Sequence, residues 1–333
     1  MSGASSNVVG WSTRLEPVGP LEGPRRPDDV RLDEVIEFWR GDPAAISPGR
    51  AVIVGFPQDE GVRRNGGRPG AARAPQAIRR WLYRLTPYDS QAGVGLALAP
   101  PLDLGNIRLG GSLEETQAAL GEVVAEILTR DAIPVVLGGG HETAYGHYLG
   151  YVGAGRPTAI INLDAHLDVR PLAESGGHSG SPFRQALEHP TNPLRGEHYI
   201  CLGAQPHANG RSHWRYASDR GCVVRWRDEL RPSAENHLSK ELATLRSGSV
   251  QAYVSIDADV ARMADVPGVS VPNPVGLPGE EVTACARLAG ATGGVSSFEL
   301  VEINPIYDRD EQSLRWGALV VWNFLIGLAT RGH

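Results

Sequence analysis

The sequence predicts an α/β fold, in which a mostly parallel sheet is covered by helices on both faces. Short apolar runs of strand length alternate with segments of helical period along most of the chain. Such alternation is typical of parallel sheets, because their crossover connections place helices on the two faces. Three of the predicted strands end in glycine, histidine or aspartate, at the edge where open parallel sheets bind their ligands.

Composition limits the classes of protein that fit. The chain has 333 residues, a formal net charge of −6 and three cysteines. The negative charge argues against general binding of nucleic acid or of anionic membranes. The cysteines are odd in number and far apart, which indicates reduced thiols, and no apolar run has the length of a membrane span or the features of a signal peptide. We therefore expect a cytoplasmic protein whose ligand is a small molecule.

Residues 1–48 are predicted to form an N-terminal arm with a short helix, and residues 49–333 a single main domain. Residues 1–30 are rich in proline, glycine and charge, which is typical of an arm over the surface. The apolar positions of residues 31–40 fit an amphipathic helix outside the main core.

The main domain begins with a buried strand at residues 51–55, a glycine-rich loop at residues 58–74 and a helix that starts at Pro75. The loop carries three arginines that either bind an anion or form salt bridges within the protein: Arg63, Arg64 and Arg68. Further strands are predicted at residues 134–137, 158–161, 199–202, 222–224, 253–256 and 298–305. Helices are predicted over residues 113–130, 142–151, 233–246, 280–289 and 310–330. The loop 170–182 is long and polar for a β-to-α connection, and such loops often contact substrates.

The strand at residues 158–161 ends in three candidate metal ligands. Asp164, His166 and Asp168 are spaced by two, so their side chains project to one side while the chain stays extended. Two carboxylates this close repel each other unless a cation lies between them. Mixed oxygen and imidazole ligands suit manganese or zinc better than calcium. Taken alone, the stretch also fits a salt-bridge cluster at a strand end.

Two other strand ends carry residues of the same kind. Asp257 and Asp259 follow an apolar strand with the same spacing of two, and His141 follows three glycines at the end of another. If these strands are neighbours in a parallel sheet, their ends meet at one crevice. Four carboxylates and two imidazoles are too many for one ion, but they suit two divalent metals that activate a shared water. The predicted metal ligands are His141, Asp164, His166, Asp168, Asp257 and Asp259.

These motifs resemble those of the ureohydrolase superfamily, which includes arginase, agmatinase and formimidoylglutamase. The resemblance covers residues 50–330 and depends on four motifs: Gly-Gly-Gly-His141-Glu, Asp164-Ala-His166-Leu-Asp168, Ser255-Ile-Asp257-Ala-Asp259 and Glu302-Ile-Asn-Pro305. It implies a three-layer α/β/α sandwich around a sheet of about eight strands. It also implies two Mn²⁺ ions per subunit, hydrolysis of a carbon–nitrogen bond in a linear amidine or guanidino compound, and assembly into a homo-oligomer, either a trimer or a hexamer.

Within the superfamily, several stretches look most like formimidoylglutamase. They are the His141-Glu142 pair and residues 146–150, 179–185 and 304–308. Enzymes of that name hydrolyse N-formimidoyl-L-glutamate to L-glutamate and formamide in histidine breakdown. Two alternatives stay open: an agmatinase-like or other guanidino-acid hydrolase that releases urea, and a non-catalytic oligomeric scaffold.

The resemblance also implies roles in catalysis. Asp168 would hydrogen-bond the nucleophile and carry its proton, and Asp164 and Asp257 would bridge the two metals. Glu302 would face the cationic C–N group of the substrate, although it could instead bond a nearby helix start. Arginases have a proton-transferring histidine where this sequence has Ser179. His178, next to it, either takes that catalytic role or is a solvent-exposed loop residue.

Substrate binding is assigned to the loop 170–182 and to Glu302. Arg170 occupies a position where arginases have an asparagine, and a guanidinium there would bind a carboxylate bidentately. Such a contact favours a glutamate-like substrate and disfavours the cationic tail of agmatine. Ser175 and Ser179 complete the predicted substrate contacts.

Overall fold

The protein is described by a computed structural model over residues 10–22 and 28–332. The part of the chain so described contains twelve strands: β1 (Leu15–Glu16), β2 (Glu37–Phe38), β3 (Ala51–Gly55), β4 (Tyr88–Asp89), β5 (Val94–Gly95), β6 (Leu102–Ile107), β7 (Ile133–Leu137), β8 (Thr158–Leu163), β9 (Tyr199–Ala204), β10 (Val223–Trp226), β11 (Gln251–Asp257) and β12 (Val295–Val301). Its α-helices are α1 (Glu60–Arg64), α2 (Ala74–Leu82), α3 (Leu113–Thr129), α4 (Thr143–Ala154), α5 (Pro182–Leu187), α6 (Arg211–Asp219), α7 (Ala234–Ser247), α8 (Gly279–Ala291) and α9 (Gln312–Ala329).

Ten strands form one sheet in the order β1-β6-β3-β7-β12-β11-β8-β9-β10, with β2 also paired to β6. The strands from β6 to β10 in that order are all parallel, and only β1 runs antiparallel to its neighbour. The predicted fold class is therefore confirmed. The eight strands from β6 to β10 match the predicted number, and two short strands, the antiparallel β1 and the parallel β2, extend the sheet beyond it.

Each face of the sheet has its own apolar core because neighbouring residues of a strand point to opposite faces. Ile53 packs into one core with residues of α2, α7, α8 and α9, whereas Val52 and Val54 pack into the other with residues of α3, α4, α5 and α6. The apolar residues of the central strands are buried on both faces, as the continuous apolar runs predict. No helix of the described residues combines the length and the apolar character needed to cross a membrane.

The predicted helix at residues 31–40 is wrong. This segment forms a 3-10 turn, Leu32–Glu34, followed by strand β2. The edge of β6 offers free backbone groups, and the peptide N–H groups of Glu37 and Trp39 donate to the carbonyls of Pro101 and Asp103, each at 2.9 Å. The segment also lies within the core rather than outside it, because Leu32, Ile36 and Trp39 are buried. The predicted arm over residues 1–30 lies partly outside the described residues.

Strand β6 and helices α1, α5 and α6 are not among the predicted elements. In β6 the apolar pattern is interrupted by Asp103, Gly105 and Asn106, which hid the strand. The buried Asp103 is stabilised by Arg79, whose Nε lies 2.8 Å from Asp103 Oδ2. The three helices are short, and α6 buries only Ala217, so few apolar residues mark them in the sequence.

Sheet order places the polar strand ends side by side. The neighbours β7, β12, β11 and β8 are parallel and in register, with Ile256 opposite Leu300 on one side and opposite Leu163 on the other. His141 follows β7, Glu302 follows β12, and Asp257 ends β11. The carboxyl ends of these strands therefore share one crevice, as predicted for an open parallel sheet.

Candidate active site

The first group of candidate ligands surrounds the imidazole of His141. His141 Nδ1 lies 3.3 Å from Asp164 Oδ2, 3.0 Å from Asp168 Oδ2 and 3.1 Å from Asp257 Oδ2. All four side chains are buried at the strand ends, and their ligand atoms lie within 4.8 Å of one another. They form one compact set of donors that could hold a metal ion.

A second group lies beside the first and shares Asp164 with it. His166 Nδ1 lies 3.4 Å from Asp164 Oδ1 and 3.1 Å from Asp259 Oδ2. The two oxygens of Asp164 thus face different imidazoles, which is the arrangement expected of a carboxylate that bridges two ions. Asp257, the other predicted bridge, groups with His141 and not with His166. The arrangement of these clusters is that of a binuclear metal site.

The short contacts within the first group are explained better by a shared metal ion than by hydrogen bonds. A ring nitrogen carries at most one proton, so the three short contacts of His141 Nδ1 cannot all be hydrogen bonds. Ligand atoms about 2.1 Å from one ion and at right angles to each other are about 3 Å apart, which is the spacing found here. Asp259 Oδ1, in the second group, is buried and has no hydrogen-bond partner among the described residues. Both groups therefore fit divalent ions.

The pKa values of the buried aspartates also indicate a cation site. Burial, together with the negative charges of Asp259 and Asp164, holds the pKa of Asp257 well above its ordinary value. Burial likewise raises the pKa of Asp259 to about 6, against the opposing effect of His166. Burial acts in the same direction on Asp164, but hydrogen bonds from His141 and His166 lower its pKa below the ordinary value. Ionisation of Asp257 is therefore unfavourable in this cluster, and a bound divalent cation would favour it.

Backbone conformation sets the direction of two predicted catalytic carboxylates. Asp168 has φ of 44° and Glu302 has φ of 66°, in the left-handed region that side chains other than glycine rarely adopt. Such strain costs about 1–3 kcal/mol and is concentrated at functional sites. Here Glu302 directly follows β12, Asp168 lies in the loop after β8, and both residues line the crevice.

The geometry of Glu302 fits both roles weighed from the sequence. Its Oε1 accepts a hydrogen bond from the backbone N–H of His141 at 2.8 Å, two residues before α4 begins. Its Oε2 is buried without a hydrogen-bond partner among the described residues, and the side chain lines the cavity above the clusters. One oxygen is therefore structural, and the other is available to a ligand.

A cavity of about 150 Å³ opens above the two groups of ligands. Its walls include Glu302, Arg170 and Ser179. Arg170 has no salt bridge to any carboxylate within residues 10–22 and 28–332, although several aspartates line the same cavity. A half-buried guanidinium that pairs with no carboxylate of the described residues indicates a subsite for an anion.

Two predicted site residues lie outside the cavity. Ser175 is exposed at the turn between Ala173 and Gly176. His178 is buried, not solvent-exposed, and its ring is bonded within its own loop: Nδ1 accepts from the N–H of Gly180 at 3.1 Å, and Nε2 lies 3.0 Å from the carbonyl oxygen of Pro171. Both nitrogens are therefore engaged, so this geometry favours a loop-holding role for His178 over proton transfer.

The three arginines of the loop at residues 58–74 are bonded within the protein. Arg63 pairs with Glu60, and Arg64 pairs with Glu60 and with Glu114. Arg68 donates to the backbone carbonyls of residues 269 and 270 and stacks on an aromatic ring. Of the two interpretations of these arginines, the structure favours internal contacts. The same loop instead contributes Asn65 to the cavity wall, and a distant loop contributes Ser270 and Val271, none of them predicted from the sequence.

A chain of buried polar side chains continues from His141 into the sheet. His141 Nε2 lies 3.1 Å from Ser255 Oγ, and this hydroxyl donates to Glu299 Oε1 at 2.7 Å. Glu299 Oε2 in turn lies 3.0 Å from His147 Nδ1. Because the serine proton goes to Glu299, Ser255 Oγ accepts the Nε2 proton of His141, which leaves Nδ1 free to bind a metal. In the sequence, the only sign of this row of polar side chains was Ser255, which lies two residues before Asp257 on the same strand.

We expect Glu299→Gln to weaken metal binding by about tenfold to a hundredfold, because outer partners of a ligating histidine set its tautomer and its basicity. Competition with a chelator of known affinity would measure the change. Ser296→Ala is a suitable control, since this hydroxyl bonds Tyr151 and not the His141 chain. Metal affinity equal to that of the wild type would show that Glu299 has no influence on the site.

Comparison with known proteins agrees with the motifs and with the geometry of the site. The sequence model of the Arginase family matches residues 49–327. The formimidoylglutamase of Klebsiella pneumoniae is 36% identical over 299 residues, which cover 89% of this chain and 91% of that protein. The formimidoylglutamase of a Geobacillus species is 33% identical over 320 residues, covering 95% and 94% of the two chains.

Solved structures agree with these sequence matches. Trypanosoma cruzi formiminoglutamase, solved with Mn²⁺₂, superposes with a TM-score of 0.82 at 32% identity and covers 91% of this chain and 100% of its own. Formimidoylglutamase from Bacillus subtilis superposes with a TM-score of 0.85 at 23% identity, over 92% and 94% of the two chains, and so supports the fold. This chain therefore belongs to the arginase family, and it is a hydrolase similar to the formimidoylglutamases.

Proposed function

We propose that this protein is a binuclear manganese hydrolase that converts N-formimidoyl-L-glutamate and water to L-glutamate and formamide. The observation that carries the proposal is the guanidinium of Arg170, which has no carboxylate partner among the described residues and lies on the wall of the cavity that the two ligand groups line. The amidine end of the substrate would react beside the two ligand groups. Its acidic tail would need a cation farther along the cavity wall, and Arg170 supplies one. The names of the relatives support this substrate.

Six residues would hold the metals. His141, Asp168 and Asp257 would serve one ion, His166 and Asp259 the other, and Asp164 both. Manganese suits the mixed oxygen and imidazole donors, and the related Trypanosoma cruzi structure contains it. When bound, a pair of divalent ions supplies a water acidified toward neutral pH as the nucleophile for the sp² carbon of the formimidoyl group.

Asp168 and Glu302 would handle the protons and the charge of the substrate. The Asp168 carboxylate accepts the proton of the attacking water and passes it to the leaving nitrogen, so that the C–N bond breaks with release of an amine. Glu302 Oε2 accepts an N–H of the amidine and offsets its positive charge, which would otherwise lie close to two cations. The strained backbone at both residues fixes these directions.

The acidic tail of the substrate would lie against Arg170. Its guanidinium donates to a carboxylate, and the hydroxyl of Ser179 lies on the same wall. A cationic tail, as in agmatine, would meet an uncompensated positive charge there. The pocket therefore selects a glutamate-like amidine over a guanidino amine.

Product analysis tests the proposal directly. The manganese-loaded protein is incubated separately with N-formimidoyl-L-glutamate, agmatine, arginine and guanidinobutyrate. Formamide and L-glutamate from the first compound alone would support the proposal. Urea from one of the guanidino compounds, without formamide from the first, would move the assignment to an amidinohydrolase. No product from any of them, with normal metal content, would favour the non-catalytic scaffold.

A further inference from the structure

Asn65 lies at the end of a short helix that is fixed on several sides. Its backbone N–H donates to the carbonyl of Gly61 at 3.0 Å and closes α1. Gly61 N–H in turn donates to the buried Glu142 Oε1 at 2.7 Å, and Arg64 Nη1 donates to the carbonyl of Gly177 at 3.0 Å. These bonds connect α1 both to the strand end that carries His141 and to the loop that carries Ser179. The position of Asn65 is therefore set by the scaffold.

The side chain of Asn65 joins the two polar groups of the anion subsite. Asn65 Nδ2 donates to Ser179 Oγ at 3.1 Å, and Arg170 Nη1 donates to Asn65 Oδ1 at 3.3 Å. The guanidinium is only a donor, so the amide oxygen must face it and the amide nitrogen must face the serine. Ser179 Oγ then acts as an acceptor toward Asn65, and its own proton stays free for a ligand.

Gly180 allows these three side chains to meet. A Cβ at this position would lie 2.8 Å from Arg170 Cδ and 3.0 Å from Asn65 Nδ2. The stem of Arg170 thus lies directly on the Gly180 backbone, next to the amide of Asn65. Close packing of this kind leaves the guanidinium little freedom to turn away from the cavity.

We infer that Asn65 is a positioning residue for carboxylate recognition: it occupies one N–H of Arg170 and the acceptor side of Ser179, so that the remaining donors of both face a ligand anion. The inference rests on the proposed function and adds a specificity-determining residue from a loop outside the metal motifs. A neutral amide is required here because it can accept from the arginine while it donates to the serine.

Two substitutions separate this role from simple structural support. Asn65→Ala should weaken binding of glutarate, a dicarboxylate probe, by about fivefold, because one hydrogen bond to each neighbour is lost. Asn65→Asp should weaken it by about thirtyfold or more, because an aspartate accepts from Arg170 and from Ser179 and repels the anion. Calorimetry on the manganese-loaded protein gives the glutarate affinity, and the same variants should show raised KM for N-formimidoyl-L-glutamate with kcat and metal content nearly unchanged.

The test depends on which of the two variants binds glutarate more weakly. Aspartate has the shape of asparagine, so a purely structural role predicts that Asn65→Ala binds glutarate more weakly than Asn65→Asp does. That result would overturn the inference, and so would an Asn65→Asp variant that binds glutarate as tightly as the wild type. Absence of glutarate binding by the wild type would overturn it as well. Normal glutarate binding with the expected order, but no formamide from the substrate, would refute the proposed function and leave the role of Asn65 intact. Asn236→Asp, exposed on α7, makes the same charge change away from the cavity and should bind glutarate normally.

Discussion

Replacing Asp257 by asparagine is expected to remove at least one metal ion and to slow hydrolysis by about a thousandfold or more. Asp257 Oδ2 lies 3.1 Å from His141 Nδ1, in a group whose members are all buried. An amide of the same shape keeps the packing but removes a negative charge from the first ligand group. Burial, together with the charges of Asp259 and Asp164, raises the pKa of Asp257, so its negative charge does not stabilise the metal-free fold, and the loss falls on metal binding.

Metal analysis and kcat together test this expectation. The purified variant is loaded with manganese, freed of excess ion, and measured for manganese per chain and for formamide release. Asp219→Asn, on the exposed side of α6, makes the same chemical change away from the cavity and should behave as the wild type. An Asp257→Asn protein that holds two ions per chain and turns over at the wild-type rate would exclude Asp257 from the metal site.

Replacing Arg170 by alanine is expected to raise KM for N-formimidoyl-L-glutamate by at least about a hundredfold and to change kcat by less than about fivefold. Charge-assisted hydrogen bonds to a carboxylate contribute about 1.5–3 kcal/mol each, and Arg170 has no other anion to bind among the described residues. The contact is to a part of the substrate that does not react, so its loss affects binding in the ground state and the transition state alike.

Steady-state kinetics with a matched arginine variant separates this contact from general charge effects. Arg63→Ala removes a cation from the same side of the molecule, but Arg63 is exposed and paired with Glu60, so its KM should stay near that of the wild type. Arg170→Lys should recover part of the affinity, because an ammonium keeps the charge but loses the bidentate fork. An unchanged KM for Arg170→Ala would remove Arg170 from the substrate site.

The sheet and the six candidate ligands could be anticipated because their signals are local. A spacing of two at a strand end places Asp257 and Asp259 on one side, and β-to-α alternation brings separate strand ends to one edge. The order of the strands was not predicted: the three motif-bearing strands were assumed to be neighbours, whereas β12 lies between β7 and β11. The homo-oligomeric assembly, the cytoplasmic location and a boundary at residue 49 stay predictions.

Other features depend on contacts between distant segments. The predicted helix at residues 31–40 failed because the partner of Glu37–Phe38, strand β6, is itself concealed by polar residues. The sequence does not distinguish Asn65 from other loop residues, because its contact with Ser179 depends on how α1 packs against a distant loop. His178 could not be assigned for the same reason, since its two bonding partners are set by the fold of its loop.

Anomalous diffraction at the manganese edge, from crystals of the loaded protein, tests the central claim most directly. We predict two peaks in the crevice, one beside His141 and Asp168 and the other beside His166 and Asp259, with Asp164 in contact with both. A single peak, or none, at these residues in protein that is active with manganese would contradict the binuclear site on which the proposed function depends.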